Sequence, residues 1–159
     1  MTTRHDVYEG GAGPRRGSGG GPAPVPDGTP GPQHLTVRTV HHDGVAISVT
    51  RGGRGRPLVL CPGLLSTQAD LHELTSLLRR DHDVITFDLR GHGLTSAADR
   101  YSFDAFLGDL GAVLAALDLP APPVLVGHSL GADLAVHHAA GHPDAVDGLV
   151  LIDGANPLP

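Results

Sequence analysis

Hydrophobic and polar residues alternate with a period of two over residues 35–39 and again over residues 45–49. This period directs alternate side chains to one face of a β-strand. The two segments are joined by Asp43-Gly44, a pair that is typical of hairpin turns. The pattern predicts an N-terminal β-hairpin whose apolar positions are Leu35, Val37, Val45, Ile47 and Val49.

Short continuous apolar runs follow at residues 57–61, 84–87, 124–126 and 148–152. Runs of this kind are typical of strands that are buried on both faces of a parallel sheet. The first run ends at Pro62-Gly63, and the third leads directly into Gly127. These runs predict the remaining strands of the sheet.

Leucines recur at helical spacing between the first two of these runs. The positions are Leu71, Leu74, Leu77 and Leu78, and Ser66 or Thr67 can serve as the N-cap. The segment is therefore predicted to form a helix.

The longest apolar stripe spans residues 103–117 and predicts the clearest helix of the chain. Ser102 is its predicted N-cap, and Tyr101 can pack on Phe106 across the helix start. A further helix is predicted from the end of the third run to about Ala140, and it stops before Pro143.

The predicted order of elements is β-β-β-α-β-α-β-α-β. This order predicts an α/β fold with an open, mostly parallel sheet, helices on both faces and right-handed crossovers, preceded by the hairpin. The length of 159 residues supports one domain. Residues 1–33 hold nine Gly and six Pro and are predicted to be a disordered tail, which leaves residues 34–159 for the domain.

Charge and cysteine content exclude several classes of function. The formal net charge is −6, and all eleven cationic side chains are Arg. We therefore expect no nucleic-acid partner, and neither a Walker lysine nor a Schiff-base lysine is possible. Cys61 is the single cysteine, so neither an internal disulfide nor a paired-cysteine metal site is expected. No signal-peptide core or membrane-spanning run is present in the sequence, and we expect a cytoplasmic protein.

One motif carries chemistry: Gly127-His128-Ser129-Leu130-Gly131. In a chain this rich in glycine, roughly 0.14 matches to Gly-x-Ser-x-Gly are expected by chance, so the context decides its meaning. The motif lies where a predicted buried strand turns into a helix, as in the nucleophile elbow of a serine hydrolase. The alternative is an ordinary strand-to-helix turn in which Ser129 is only the N-cap.

Residues 35–159 resemble the α/β-hydrolase family in several places besides this motif. Residues 57–65 resemble its third strand and oxyanion loop, and residues 88–96 resemble the loop after its fourth strand. Residues 127–153 resemble the elbow, the helix behind it and the sixth strand. The chain is thus similar to the N-terminal half of that family.

The resemblance implies a serine hydrolase without cofactor or metal that acts on a small acyl substrate: an ester, thioester, amide or lactone. Ser129 would be the nucleophile, and the backbone N–H groups of Leu130 and Leu64 would form the oxyanion hole. Pro62 stands where the family commonly has histidine, a change that leaves the Leu64 donor in place. His128 flanks the nucleophile within the elbow.

The remaining triad members are expected beyond this sequence, because the family places its acid and histidine after later strands. Asp153, at the end of the sixth strand, is a minor candidate for the acid. Neither His128 nor His92 is expected to be the base. His138 and His142 stand four apart on a helix, but no third metal ligand accompanies them.

Two other interpretations stay open. The chain can be a non-catalytic remnant or a half-domain that another chain completes, or the scaffold can support cofactor-free haloperoxidase or C–C hydrolase chemistry. With the base expected beyond this sequence, the chain alone is expected to be inactive, and its last apolar strand, residues 149–152, is an aggregation risk. The sequence leaves the substrate and the oligomeric state open.

Overall fold

The computed structural model describes residues 34–154. The tail predicted at residues 1–33 lies outside the described residues. The strands and helices follow the predicted order β-β-β-α-β-α-β-α-β. The strands are β1 Leu35–His42, β2 Val45–Gly53, β3 Arg56–Cys61, β4 His82–Phe87, β5 Val124–His128 and β6 Gly148–Ile152. The helices are α1 His72–Leu78, α2 Phe103–Ala116 and α3 Leu130–Gly141, and a short 3₁₀ turn covers Pro143–Ala145.

The six strands form one open sheet in the order β1-β2-β4-β3-β5-β6. The hairpin of β1 and β2 is antiparallel, and β2 runs antiparallel to β4. The strands β3, β4, β5 and β6 are parallel to one another. The predicted fold class, an open and mostly parallel sheet that follows an N-terminal hairpin, is confirmed.

The core has two layers because successive side chains of a buried strand point to opposite faces. On one face, residues such as Ile85, Phe87 and Leu125 pack with Leu110 of α2 and Leu134 of α3. The other face holds a smaller cluster around Leu58, Leu60 and Val84, against which Leu71 and Leu78 pack at α1. Helices therefore lie on both faces of the sheet, as predicted.

Both predicted N-caps of the first helix are wrong. α1 begins at His72, its N-cap residue is Leu71, and no side chain caps it. Thr67 instead closes a separate turn, in which its backbone N–H and its hydroxyl both donate to the Asp70 carboxylate at 2.8 and 2.9 Å. Because the Thr67 N–H and hydroxyl both bind Asp70 in that turn, Thr67 does not cap the helix, and α1 begins only at His72.

The leucine stripe of this helix is only partly buried. Leu71 and Leu78 contact the sheet, and Thr75 between them is 2% exposed. Leu74 and Leu77 lie on the outer face, where Leu77 is 53% exposed. The face of α1 that meets the sheet therefore follows the spacing i, i+4, i+7 from Leu71.

The start of α2 agrees with the prediction. The Ser102 hydroxyl accepts a hydrogen bond from the backbone N–H of Ala105 at 3.2 Å. The rings of Tyr101 and Phe106 lie 6.4 Å apart, so the hydrophobic contact across the helix start is present. Both interactions fix the direction in which the chain enters α2.

The two edge strands are more exposed than their apolar sequences suggest. In β1, Leu35 and Val37 are exposed and Val40 is buried, so the period of two does not identify its buried face. In β6, residues Leu149, Val150, Leu151 and Ile152 are each between 38% and 48% exposed. β6 lies at the margin of the sheet, where β5 is its only strand neighbour among residues 34–154.

Candidate active site

Ser129 occupies a strained turn between β5 and α3, with φ of 51° and ψ of −121°. A backbone in this region costs about 1–3 kcal/mol and persists only where the surroundings enforce it. Here the Ser129 N–H donates to the Ile152 carbonyl at 2.9 Å, and the Ser129 carbonyl accepts from the Ala132 N–H at 2.9 Å. The turn is thus held from β6 on one side and from α3 on the other.

The two motif glycines are required by close backbone packing. A Cβ at Gly131 would overlap the carbonyl oxygen of Cys61 at the end of β3. A Cβ at Gly127 would lie 2.5 Å from the Cα of Ala132. The pattern Gly-x-Ser-x-Gly therefore has a steric cause in this fold.

The alternative in which Ser129 acts only as a helix cap does not fit its geometry. Ser129 stands at the N-cap position of α3, but its side chain makes no capping hydrogen bond. The residue is half-buried at the edge of the sheet where the parallel strands end. Its hydroxyl is consequently available above that edge, next to the N-terminus of α3.

The loop after β3 passes directly beside this serine. A Cβ at Gly63 would lie 3.3 Å from the Ser129 Cβ and 2.9 Å from Nδ1 of His128. The side chains of Leu64 and Leu65 are 55% and 85% exposed, so ordinary core packing does not account for them. Within residues 34–154, the backbone N–H groups of Leu64 and Leu130 have no acceptor.

His92 joins this loop to the loop after β4. The Leu65 N–H donates to Nε2 of His92 at 3.1 Å, and Nδ1 of His92 lies 2.8 Å from the Arg90 carbonyl. Because Nε2 accepts a hydrogen bond from an amide, the imidazole proton must be on Nδ1, which donates a hydrogen bond to the Arg90 carbonyl. Leu65 itself has a positive φ of 66°, so this hydrogen bond holds an unfavourable backbone angle next to Leu64.

Asp88 and Gln68 form a second connection between the same loops. The buried Asp88 carboxylate accepts from the Gln68 N–H at 2.8 Å, from Gln68 Nε2 at 3.0 Å and from the Leu94 N–H at 3.1 Å. Gln68 Oε1 accepts from the Thr86 hydroxyl at 2.7 Å. Gln68 is not predicted from the sequence, and the acidic Asp88 directly after a buried strand is the signal that points to this cluster.

A buried ion pair fastens α2 to the loop after β4. Arg90 Nε and one terminal nitrogen donate to the two oxygens of Asp109 at 2.7 and 2.8 Å, and both side chains are 1% exposed. The hydrogen bond with Asp109 raises the pKa of Arg90. Nδ1 of His42 lies 2.8 Å from the same carboxylate.

Asp153 follows β6 and has a positive φ of 48°. Its neighbour Ile152 accepts the hydrogen bond from Ser129, and a Cβ at Gly154 would lie 2.6 Å from the Ser129 carbonyl oxygen. The side chain of Asp153 is exposed. The minor candidate for the acid thus lies on the segment that packs against the elbow.

The histidines of the described chain are engaged elsewhere or exposed, and none of them hydrogen-bonds the Ser129 hydroxyl. His138 is buried and its ring stacks on that of His142 at 4.4 Å. Burial, and then the neighbouring His142, lower the pKa of His138. Within residues 34–154, no group of three or more His, Cys, Asp or Glu side chains could hold a metal ion.

Cys61 is buried at the end of β3. Burial raises the pKa of its thiol to about 12, so it is a neutral, unreactive side chain at physiological pH. No helix in the described part of the chain is long and apolar enough to cross a membrane.

A family model of the alpha/beta hydrolase fold matches residues 56–159. The chain belongs to the α/β-hydrolase fold family. It is 32% identical over 121 residues to the sn-1-specific diacylglycerol lipase ABHD11 of Danio rerio, a match that covers 74% of this chain and 38% of the lipase. It is 36% identical over 104 residues to N-formylmaleamate deformylase of Pseudomonas putida, which covers 64% of this chain and 38% of the deformylase.

The structure of this α/β-hydrolase chain is similar to that of Cfl2 from Burkholderia cenocepacia, with a TM-score of 0.71 and 27% sequence identity. That similarity covers 79% of this chain and 44% of Cfl2. The chain therefore spans about two fifths of the length of the proteins that it resembles. Its curated relatives include proteins named as a lipase, a deformylase and a hydrolase, so the family that it belongs to contains enzymes.

Proposed function

We propose that Ser129 is the nucleophile of a hydrolase that cleaves a small ester, thioester, amide or lactone. The observation that carries the proposal is the strained turn at Ser129. In this turn the hydroxyl makes no capping hydrogen bond to α3 and lies at the carboxyl edge of the sheet. Strain of this kind costs stability, and proteins tolerate it mainly where function requires it. The named lipase and deformylase relatives cleave an ester and an amide by their names, which supports acyl transfer as the common chemistry.

The proposed reaction begins with attack of the Ser129 oxygen on the substrate carbonyl carbon. The negative charge that forms on the carbonyl oxygen is stabilised by the N–H groups of Leu64 and Leu130. The N-terminus of α3 adds a partial positive charge on the same side. The general base that took the Ser129 hydroxyl proton returns it to the leaving alcohol, thiol or amine as the intermediate collapses, and water then hydrolyses the acyl-serine.

Ser129 needs a histidine as its general base, and we propose that this histidine comes from outside residues 34–154. His92 is occupied by the Leu65 N–H and the Arg90 carbonyl, and His42 lies against Asp109. His128 precedes Ser129 directly, and its ring makes no hydrogen bond with the Ser129 hydroxyl among the described residues. Asp153 is the described carboxylate that could orient such a histidine, and a carboxylate from outside the described residues is the other possibility.

Fluorophosphonate labelling tests this function. The 159-residue chain is compared with an extended version that supplies an acid and a histidine, and with the Ser129→Ala variant of that extended version. We expect labelling of the extended version at Ser129, loss of labelling in the variant, and little labelling of the short chain because residues 34–154 offer Ser129 no histidine base. An extended version that contains an acid and a histidine and remains unlabelled would refute the serine-hydrolase assignment and favour a non-catalytic role.

A further inference from the structure

A polar cavity lies at the edge of the sheet opposite to the edge that carries Ser129. It has a volume of about 690 Å³ and is formed where β2 ends, α1 ends and β4 begins. The parallel strands start at this edge and finish at the edge that carries the nucleophile. β5 has five residues, so the two edges are about 17 Å apart. The cavity is therefore separate from the candidate active site.

Arginines dominate the lining of this cavity. It contains Arg51, Arg54, Arg79 and Arg80, against one acidic side chain, Asp83. Arg51 is neutralised by Asp83, with three nitrogen–oxygen distances of 2.9, 3.1 and 2.6 Å. Arg54 is exposed and has no ion pair among residues 34–154. Asp118 also acts on the charge of Arg51, and Arg80 has an interaction of its own. Arg54 and Arg79 therefore form the local positive excess at this edge, in a chain whose net charge is −6.

Arg79 is the central feature of the cavity. The residue is only 7% exposed, and its Nε is a buried donor that has no hydrogen-bond partner in the described structure. Buried side-chain donors in folded proteins nearly always have a partner, and an unpartnered guanidinium nitrogen that lines a cavity therefore indicates a missing acceptor. Burial lowers the pKa of Arg79, which is the expected effect of holding its charge away from water without a compensating anion.

The neighbouring backbone keeps Arg79 in this position. A Cβ at Gly52 would lie 3.3 Å from Arg79 Nε, so the absence of a side chain there leaves room for the guanidinium. Gly53 has a φ of 92°, and a Cβ there would lie 2.9 Å from the Arg79 carbonyl oxygen. The end of β2 is thus shaped around the end of α1.

We propose that this cavity binds a phosphate group, carried either by inorganic phosphate or by a phosphorylated small molecule. The Arg79 guanidinium would donate to the phosphate oxygens, and the exposed Arg54 would approach from the solvent side. A phosphate monoester carries between about 1.5 and 2 negative charges near pH 7, which matches the positive excess better than a single carboxylate does. Guanidinium groups also present their N–H donors in a planar arrangement that suits phosphate oxygens.

Titration of the full chain with inorganic phosphate and with glycerol 3-phosphate tests the site, with sodium chloride at matched ionic strength and glycerol as references. The readouts are the arginine Nε–H signals in NMR spectra and the dissociation constant from calorimetry. We expect saturable binding and a shift of the Arg79 signal. Tighter binding of glycerol 3-phosphate identifies a phosphorylated ligand, and equal binding identifies free phosphate.

Three variants complete the test. R79Q is expected to weaken phosphate binding at least about tenfold, the usual effect of losing a charged hydrogen bond, and R54Q about threefold. R100Q is the matched control, because Arg100 is 69% exposed and pairs with Asp43 at the hairpin turn. If R79Q does not fold, the phosphate affinity of R54Q and the shift of the Arg79 signal in the wild-type chain test the proposal instead. Phosphate binding no stronger than that of chloride, or unchanged affinity in R54Q and any folded R79Q, would overturn the proposal.

Discussion

Nε2 of His92 accepts the backbone N–H of Leu65 across 3.1 Å, although the two residues are 27 positions apart in the chain. This bond fixes the peptide that follows Leu64, the proposed oxyanion donor. His92 is therefore a positioning residue that acts through the loop, without contact to the reacting atoms.

His92→Ala in a catalytically competent version of the protein is expected to lower kcat about 10- to 100-fold, because the Leu64 N–H loses its fixed direction. KM should change less than about twofold, since the loop contributes mainly to the transition state. His92→Gln should restore part of kcat by offering an amide oxygen to Leu65. His72→Ala, at an exposed position of α1, is the control. Equal kcat in wild type and His92→Ala would rule out the positioning role.

The strain at Ser129 can be measured as stability. Ser129→Gly is expected to raise the free energy of unfolding by about 1 kcal/mol relative to Ser129→Ala, because glycine adopts a φ of 51° without steric cost. Urea denaturation of both variants measures the difference. A glycine variant that is less stable than the alanine variant would mean that the turn is unstrained.

The two ends of α3 provide a matched pair of glycine substitutions. Gly131→Ala is expected to destabilise the fold by more than about 2 kcal/mol, because its Cβ would overlap the Cys61 carbonyl. Gly141→Ala should be neutral or stabilising by up to about 1 kcal/mol, since a Cβ there meets nothing within 4 Å. Thermal unfolding of both variants tests the close approach of α3 to β3, which similar stabilities would contradict.

Removal of the Asp109 carboxylate is expected to destabilise the fold strongly. Asp109→Ala leaves the buried Arg90 guanidinium with only the more distant carboxylate of Asp43, at 3.6 Å, and the expected loss of stability is about 3 kcal/mol. Asp83→Ala serves as the comparison, because its partner Arg51 is 30% exposed and can be hydrated. A smaller loss for Asp109→Ala than for Asp83→Ala, measured by denaturant unfolding, would contradict the importance of the buried pair.

The lowered pKa of His138 predicts that the stability of the fold depends on pH. Its pKa in the folded chain is below the ordinary value of 6.5, so the unfolded chain binds the proton more readily. The contribution of His138 is therefore present above pH 6.5 and is lost as the pH falls through 6.5 toward the folded pKa. His138→Leu should reduce the decrease in stability between about pH 7 and pH 5, and His72→Leu should not. Identical pH profiles of wild type and His138→Leu would exclude this contribution.

Local patterns predicted most of the fold. Apolar runs, the stripe of α2 and the residues at its start depend on neighbours within a few positions, and the structure confirms the order of elements. Prediction failed at the start of α1, where Thr67 was expected to cap the helix. Its N–H and hydroxyl instead donate to Asp70 in a separate turn. Prediction also failed to identify the exposed positions of β1, because periodicity does not reveal which face a neighbouring element covers.

The position of the candidate nucleophile follows from the sequence alone, since a strand, a sharp turn and a helix are local features. Its surroundings depend on the sheet order, which places β3 between β4 and β5 and so brings Gly63 and the loop of His92 to Ser129. The cluster of Gln68 with Asp88 and the unpartnered Arg79 are likewise products of that order. Such contacts join residues far apart in the chain, and packing of the whole sheet decides them because no local periodicity encodes which loops become neighbours.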